Sequence, residues 1–142
     1  MQDFHEEGFL LNDGLSFRRP RADRLVIDGR VWCQGGLYFD VEQTLAVRVF
    51  RGRRQVRTVR YTFHAGVEGS RNRCVFRYDN FHAYSREEHP DAHHKHIFNH
   101  GTWEEIVPPV WVGEASRPQL SDVIEELRQW WEATGQYLDL QA

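Results

Sequence analysis

The strongest constraint on the fold is an alternation of apolar and polar residues that runs, with one break, through "TLAVRVFRGRRQVRTVRYTFHA", residues 44–65. A period of two places successive side chains on opposite faces of a β-strand. The apolar positions are Leu45, Val47 and Val49 before the break, and Val59, Tyr61 and Phe63 after it. The segment therefore predicts two long strands joined by a turn near Gly52, with Arg60, Thr62 and His64 on the face opposite Tyr61.

Four further segments have the composition of strands. In "RLVIDGRVW", residues 24–32, the Asp28-Gly29 pair between apolar runs is typical of a tight hairpin turn. The other predicted strands are residues 35–41, 74–84 and 92–98. In "CVFRYDNFHAY" the alternation predicts that Cys74, Phe76 and Tyr78 share one face.

One clear helical pattern lies near the end of the chain, in "PQLSDVIEELRQWWEATG". Its apolar residues recur at helical spacing, Ser121 is a suitable N-cap, and Gly135 can end the helix. Strands followed by a helix predict an α+β fold. We expect an antiparallel sheet of about five to six strands with a C-terminal amphipathic helix, about residues 119–134, packed on one face. The 142 residues suggest a single domain, 1–142, that is strand-rich over 24–98.

Composition excludes several classes of protein. No apolar run reaches the ~18–20 residues that cross a membrane, and the acidic start "MQDFHEEGFL" does not resemble a secretory signal. Cys33 and Cys74 are far apart in sequence and form no disulfide framework or CxxC pair. These features predict a cytoplasmic protein with two reduced core thiols and no membrane partner.

Charge is distributed unevenly along the chain. Residues 48–77 contain nine Arg and one acid, whereas residues 78–142 contain four bases and twelve acids. A basic block inside an acidic chain can contact phosphates. The candidate RNA-binding residues are Arg53, Arg54, Arg57, Arg60 and Arg77. The alternative is a solvated hairpin whose arginines pair with the acidic C-terminal helix.

The stretch from Arg77 to His96, "RYDNFHAYSREEHPDAHHKH", holds five of the eight histidines and the only lysine, Lys95. If residues 92–98 form a strand, His94 and His96 point to one face and His93 and Lys95 to the other. If they form a loop, all four can converge near His82. The sequence leaves both arrangements open.

The first chemistry that fits this stretch is RNA cleavage without a cofactor. Imidazole can remove a proton from a ribose 2′-hydroxyl and supply one to the leaving oxygen. The candidate acid and base residues are His82, His93, His94 and His96. Lys95 and Arg77 would hold the scissile phosphate. Asp79 or Asp91 would orient an imidazole.

Three alternatives compete with this chemistry. His94 and His96 with Asp91 could bind a divalent transition metal, which would make the protein a metal-dependent nuclease or hydrolase. The stretch could also be a solvated loop without chemistry. A non-catalytic module that binds RNA or a partner protein would have the same composition.

The pieces "RYDNFH" and "DAHHKH", in this order and followed by "LSDVIEELRQWW", resemble the TumE-type toxin family of prokaryotic toxin–antitoxin systems. The resemblance covers roughly residues 24–134. The positions that match are Arg77, Tyr78, Asp79, Asn80, His82, Asp91, His93, His94, Lys95 and His96.

The resemblance implies a small toxin that acts on RNA or translation and is encoded beside a helix-turn-helix antitoxin, its protein partner. Together with the chemistry of the histidine-rich stretch, it predicts a metal-independent ribonuclease that blocks translation by cleaving cellular RNA. A homodimer is a further option for the assembly.

Overall fold

The computed structural model describes residues 8–69, 73–80, 93–113, 116–138 and 140. These residues form one antiparallel sheet and one α-helix. The strands, in chain order, are β1 Leu10–Arg21, β2 Arg24–Cys33, β3 Leu37–Phe50, β4 Arg53–Val67, β5 Arg73–Asp79, β6 His94–Phe98 and β7 Glu105–Trp111, and the helix is α1 Leu120–Ala133. Short 3-10 turns occupy Gln34–Gly36 and Gly135–Tyr137.

The sheet is a meander in which each strand pairs with the next along the chain, in the order β1 to β7. The α+β class, the antiparallel sheet and the C-terminal helix are confirmed, but the predicted number of five to six strands is wrong, because the described residues alone form seven. Both edge strands were missed. β1 contains Gly14 and Pro20, and β7 contains Pro108 and Pro109, residues that strands tolerate mainly at sheet edges.

The hairpin predicted at Asp28-Gly29 is wrong, because β2 runs without interruption through both residues. Gly29 has φ 136° and lies opposite Leu15 of β1. A Cβ atom at this position would lie 2.3 Å from the carbonyl oxygen of Gly14. The glycine therefore allows two backbones to approach closely inside the sheet, a role that its sequence context does not distinguish from a turn. The segments predicted at 35–41 and from 44 onward likewise join into the single strand β3.

The turn near Gly52 is confirmed. Arg51 and Gly52 have φ values of 52° and 73°, as a two-residue turn between twisted strands requires. The pairing of β2 with β3 ends at Ala46, and that of β4 with β5 ends at Thr62. Residues 47–58 therefore extend past these ladders as a two-stranded ribbon, called the ribbon below, whose base is held by the Val47 N–H donating to the Asp23 carbonyl at 2.9 Å.

The helix begins at Leu120 and ends at Ala133. Gln119, not the predicted Ser121, is the N-cap: its backbone N–H donates to Asp122 Oδ2 at 2.8 Å, and its backbone carbonyl accepts from the N–H of Asp122 at 3.0 Å. Thr134 is the C-cap, and Gly135 follows it at the start of the 3-10 turn.

The core lies between one face of the sheet and α1. Val31, Phe39 and Phe63 of the sheet and Ile124 and Leu127 of the helix are at most 2% exposed. Burying such side chains contributes roughly 1.5–3 kcal/mol each to folding.

Both cysteines are buried and unoxidised, as predicted. Cys74 nevertheless does not share the face of Phe76, because an irregularity in the pairing of β4 with β5 inserts Val75 between them. Among the described residues, no helix is long and apolar enough to span a membrane.

Candidate active site

The histidine-rich stretch ends in a strand, not a loop. In β6, His94 and His96 point to the sheet face opposite α1, and Lys95 points toward α1. We call the face opposite α1, which carries Arg30, His64 and His96, the polar face. His82 and Asp91 lie outside the described residues.

Cross-strand pairing arranges the polar face in two rows. Residues directly opposite one another on paired strands carry side chains on the same face. The first row is Arg30, Asp40, His64, Arg77 and His96, from β2 to β6. The second row is Asp28, Glu42, Thr62, Asp79, His94 and Trp111, from β2 to β7. Ionisable groups thus form a continuous band across the sheet.

His96 lies between two carboxylates. Its Nε2 atom is 3.1 Å from Asp79 Oδ2, and its Nδ1 atom is 3.2 Å from Glu105 Oε1. Each ring nitrogen of His96 therefore faces a carboxylate oxygen, Asp79 on one side and Glu105 on the other. His96 and Asp79 are each 2% exposed, whereas the Glu105 side chain is 31% exposed. The side of the ring that faces Glu105 is therefore the one closer to solvent.

Arg77 connects this group to its neighbours. Its Nε atom is 3.3 Å from Asp79 Oδ2, and its guanidinium is 4.0 Å from Glu105. His94, which is 1% exposed, pairs with Asp79 across the β5–β6 ladder. The structure therefore brings together four predicted site residues, Arg77, Asp79, His94 and His96.

His64, in the row next to Arg77, is neutral over a wider pH range than an ordinary histidine. Burial lowers the pKa of His64, Asp40 acts in the opposite direction, and Arg77 and Arg30 lower the pKa further. Its ring stacks on Tyr38 at 6.1 Å between centroids.

The structure places Lys95 and His93 on the face that packs against α1, away from His94 and His96. Lys95 Nζ is 3.0 Å from Glu126 Oε2, and the same carboxylate accepts a 2.7 Å hydrogen bond from the Tyr78 hydroxyl. Burial and this hydrogen bond raise the pKa of Tyr78. His93 Nδ1 lies 3.0 Å from the Tyr61 hydroxyl. Lys95 thus connects β6 to α1, and His93 contacts β4 on the same side of the sheet.

The candidate RNA-binding arginines also divide between the two faces. Arg53 and Arg57 pair with Phe50 and Ala46, and Arg60 pairs with Thr44, so all three lie on the polar face. Arg54 pairs with Val49 on the other side of the ribbon. The polar face of β4 therefore leads from exposed arginines to Thr62, directly opposite Asp79.

Asn80 extends the β4 ladder through its side chain. Its Oδ1 accepts from the Tyr61 N–H at 3.0 Å, and its Nδ2 donates to the Val59 carbonyl at 2.9 Å. The side-chain amide replaces a residue of a neighbouring strand.

Sequence analysis missed Glu105 and His64 as site residues. Glu105 belongs to a proline-containing edge strand that was not predicted, and it is close to His96 only through β-sheet pairing. The alternation in "RYTFHA" does place His64 on the face of Thr62, which is the signal that could have identified it.

A cavity of about 420 Å³ lies on the polar face beside the group formed by Arg77, Asp79, His94 and His96. Its lining residues are Asp28, Gly29, Arg30, Asp40, Val41, Glu42 and Thr62. The guanidinium of Arg30 binds Asp40 with two hydrogen bonds of 2.7 and 2.9 Å, which raises the pKa of Arg30. Thr62 separates the cavity from Asp79. Its volume falls within the range of small-molecule pockets.

Comparison with known proteins identifies the family. The model of the family described as Toxin TumE matches residues 2–134. The chain belongs to the TumE toxin family. No curated protein and no solved structure matches it. The resemblance found in the histidine-rich stretch is thereby confirmed over nearly the whole chain.

Membership of the TumE family gives the chain the role of a toxin, and a toxin of this kind implies an antitoxin partner. The family description does not specify the chemistry. Within the described residues, no group of three His, Cys, Asp or Glu side chains is arranged to hold a metal ion. The metal alternative depends on Asp91, outside those residues, and on His96, both of whose ring nitrogens contact carboxylates.

Proposed function

We propose that this TumE toxin cleaves cellular RNA at the polar face and thereby blocks translation in the cytoplasm, without an obligatory metal. The observation that carries the proposal is the contact of His96 with both Asp79 and Glu105. A buried carboxylate behind an imidazole holds the ring in one orientation and stabilises its protonated form. This is the arrangement required of a proton donor.

In the proposed mechanism, His96 is the general acid. Glu105, the more exposed partner, moves away when RNA binds, and Nδ1 then donates its proton to the departing 5′-oxygen. His94 or His82 accepts the proton of the attacking 2′-hydroxyl. The new bond joins the 2′-oxygen to phosphorus, and the bond to the 5′-oxygen breaks. The products are a 2′,3′-cyclic phosphate and a 5′-hydroxyl end.

Arg77 is suited to bind the scissile phosphate, because its side chain is 28% exposed and lies beside both carboxylates. Lys95 is removed from this role, because Glu126 holds it on the other face. The arginines of β4 supply contacts to the RNA backbone that are independent of sequence. The cavity next to Thr62 can accept a base, whose amino groups would donate to its carboxylates.

The test is an RNA-cleavage assay with purified protein, with and without EDTA. We expect cleavage that survives chelation and yields cyclic phosphate ends, and that His96→Asn abolishes. His93→Gln is the matched control, because it removes a buried histidine contact on the opposite face and should lower stability but not specific activity. Cleavage lost on chelation would favour the metal-dependent alternative.

A second candidate function is a toxin that binds RNA without cleaving it. The observation in its favour is the burial of His94 and His96, at 1% and 2% exposure, which is typical of structural histidines. Salt-sensitive RNA binding by the wild-type chain with no product at any pH would support it. A helix-turn-helix antitoxin remains the proposed partner in either case.

A further inference from the structure

The ribbon carries a second exposed surface on the side opposite its polar face. Val47 and Val56 pair with each other, and Val49 follows two residues later, so all three point to the α1 side of the sheet. The helix does not cover this end of the sheet. Val49 is 69% exposed and Val56 58% exposed. We call these three residues the valine face.

The valine face continues into the body of the sheet. Leu45, two residues before Val47, lies on the same side and pairs with Leu25 of β2. Farther along the same face, Phe17 of β1 is 66% exposed. Monomeric proteins seldom expose contiguous apolar surface of this kind unless it binds something. The surrounding charge identifies what it can bind.

The ribbon itself contributes only positive charge to this surface. Asp23 lies beside Val47, whose N–H donates to its carbonyl at 2.9 Å, but the Asp23 carboxylate faces Arg24 at 3.4 Å and Arg21 at 3.9 Å. From Gln43 to Val67 the chain contains six arginines and no acid. Arg54 lies on the valine face itself, opposite Val49, and Arg51 forms the turn at its tip. A partner must therefore supply apolar side chains together with carboxylates, because an unpaired like charge at an interface opposes binding.

A second copy of the chain does not meet this requirement. Two valine faces packed together would place Arg54 and Arg51 of one copy against those of the other. The acidic helix α1 of a second copy does not meet the requirement either, because its glutamates already have partners. Glu125 and Glu132 pair with Arg128, and Glu126 pairs with Lys95. RNA supplies negative charge but no aliphatic surface to cover the valines.

We propose that the valine face binds an acidic amphipathic segment of the antitoxin, while the arginines of the polar face remain directed toward RNA. This inference rests on the proposed function only for the identity of the partner, an antitoxin. It does not depend on RNA cleavage. One ribbon would then serve two ligands on its two sides. Inhibition of the toxin would not require the antitoxin to touch His96.

The test compares two variants that add the same charge to adjacent residues on opposite sides of the ribbon. Val56→Glu places a carboxylate on the valine face, and Gln55→Glu places one on the polar face. Calorimetric titration with the purified antitoxin encoded beside the toxin gene should show that Val56→Glu weakens binding by at least about 30-fold. Gln55→Glu should weaken it by less than about threefold, the size of a rim effect.

Arg54→Gln tests the charge of the partner. It should weaken binding several-fold and reduce the dependence of affinity on salt, because a screened ion pair is lost. Val49→Ser is the second valine-face variant if Val56→Glu does not fold. Equal effects of the two glutamate variants, or no complex with the wild-type chain, would overturn the proposal.

Two other occupants give distinct outcomes. A dimer of the isolated toxin that Val56→Glu dissociates in sedimentation experiments would assign the face to a second copy instead. RNA binding that falls with Val56→Glu but not with Gln55→Glu would assign it to RNA. Failure of cleavage in every lane would refute the ribonuclease proposal alone, because antitoxin binding is measured without any catalytic readout.

Discussion

The Oδ2 atom of Asp79 lies 3.1 Å from the Nε2 atom of His96, and each residue is only 2% exposed. The backbone ladder of β5 and β6 sets this contact, because Asp79 pairs with His94 and Arg77 with His96. The acid and the imidazole are thus diagonal neighbours on two rigid strands. Their separation is fixed by sheet register rather than by a flexible loop.

Asp79→Asn should separate the electrostatic role of this carboxylate from its shape. The amide keeps the volume but removes the negative charge beside Nε2 of His96, so we expect cleavage to fall by about 10²–10³-fold. Cleavage rates at saturating RNA and urea unfolding would be measured together. Glu105→Gln is the matched comparison at the other ring nitrogen. Unchanged cleavage by Asp79→Asn would argue against a role for the pair in catalysis.

Lys95→Met should affect stability rather than activity. The substitution keeps the aliphatic stem over the rings of Phe76 and Tyr78 but removes the contact of Nζ with Glu126. Leaving that carboxylate without its cation should lower the free energy of unfolding by roughly 1–3 kcal/mol, measured in urea. Specific cleavage activity of the folded fraction should stay at the wild-type level. A large loss of activity at unchanged stability would restore Lys95 to the active site.

His64 should make stability depend on pH. Its pKa is lowered in the folded state, chiefly by burial, so the unfolded chain binds the proton more readily. The free energy of unfolding should therefore fall as pH drops below the ordinary histidine value of about 6.5. His64→Gln should show a smaller loss between about pH 7.5 and about pH 5.5, a range that brackets that value. An identical pH dependence in the two proteins would contradict this assignment.

The two thiols should be unreactive in the folded protein. Burial raises the pKa of Cys33 and of Cys74 to about 12, so almost no thiolate forms near neutral pH. A thiol-reactive chromogenic reagent at about pH 8, near the ordinary thiol value, should label neither residue until urea unfolds the chain. Immediate labelling of one thiol under native conditions would show that its burial is incomplete in solution.

Gly29→Ala should destabilise the sheet more than Gly36→Ala. Both glycines have positive φ, but only at Gly29 would the new Cβ meet backbone atoms, whereas Gly36 faces open space. Backbone strain alone should cost about 1–2 kcal/mol at Gly36. The additional clash at Gly29 should add about 1–3 kcal/mol, because neither strand can shift freely. Equal losses in urea unfolding would indicate that β1 moves away to make room.

Local patterns predicted the elements whose residues alternate cleanly or follow helical spacing. The hairpin at Gly52, the faces of β6 and the helix α1 all agree with the sequence. The two edge strands have no clear strand pattern in the sequence, because a strand that is paired on one side only tolerates proline and needs few apolar residues. Asp28-Gly29 led to the wrong prediction of a turn, since glycine is equally suited to turns and to close contacts between strands.

The candidate site could be predicted only in part, because its geometry depends on register between strands. Arg77, Asp79, His94 and His96 were identified from composition, and the period of a strand places the two histidines on one face. Nothing local indicates that Glu105, nine residues beyond His96, contacts its ring. The opposite orientation of Lys95 follows from the same period but acquires meaning only when Glu126 is seen beside it.

The side chain of Asn80 has a consequence for the position of Asp79. By bonding to Tyr61 and Val59 it fastens the end of β5 to β4 one residue after Asp79. The backbone that carries Asp79 is therefore held to β4 by a side chain as well as by the β-sheet ladder. Loss of this amide would free the end of β5 and, with it, the backbone that positions the carboxylate against His96, although Asn80 itself lies outside the band of ionisable groups.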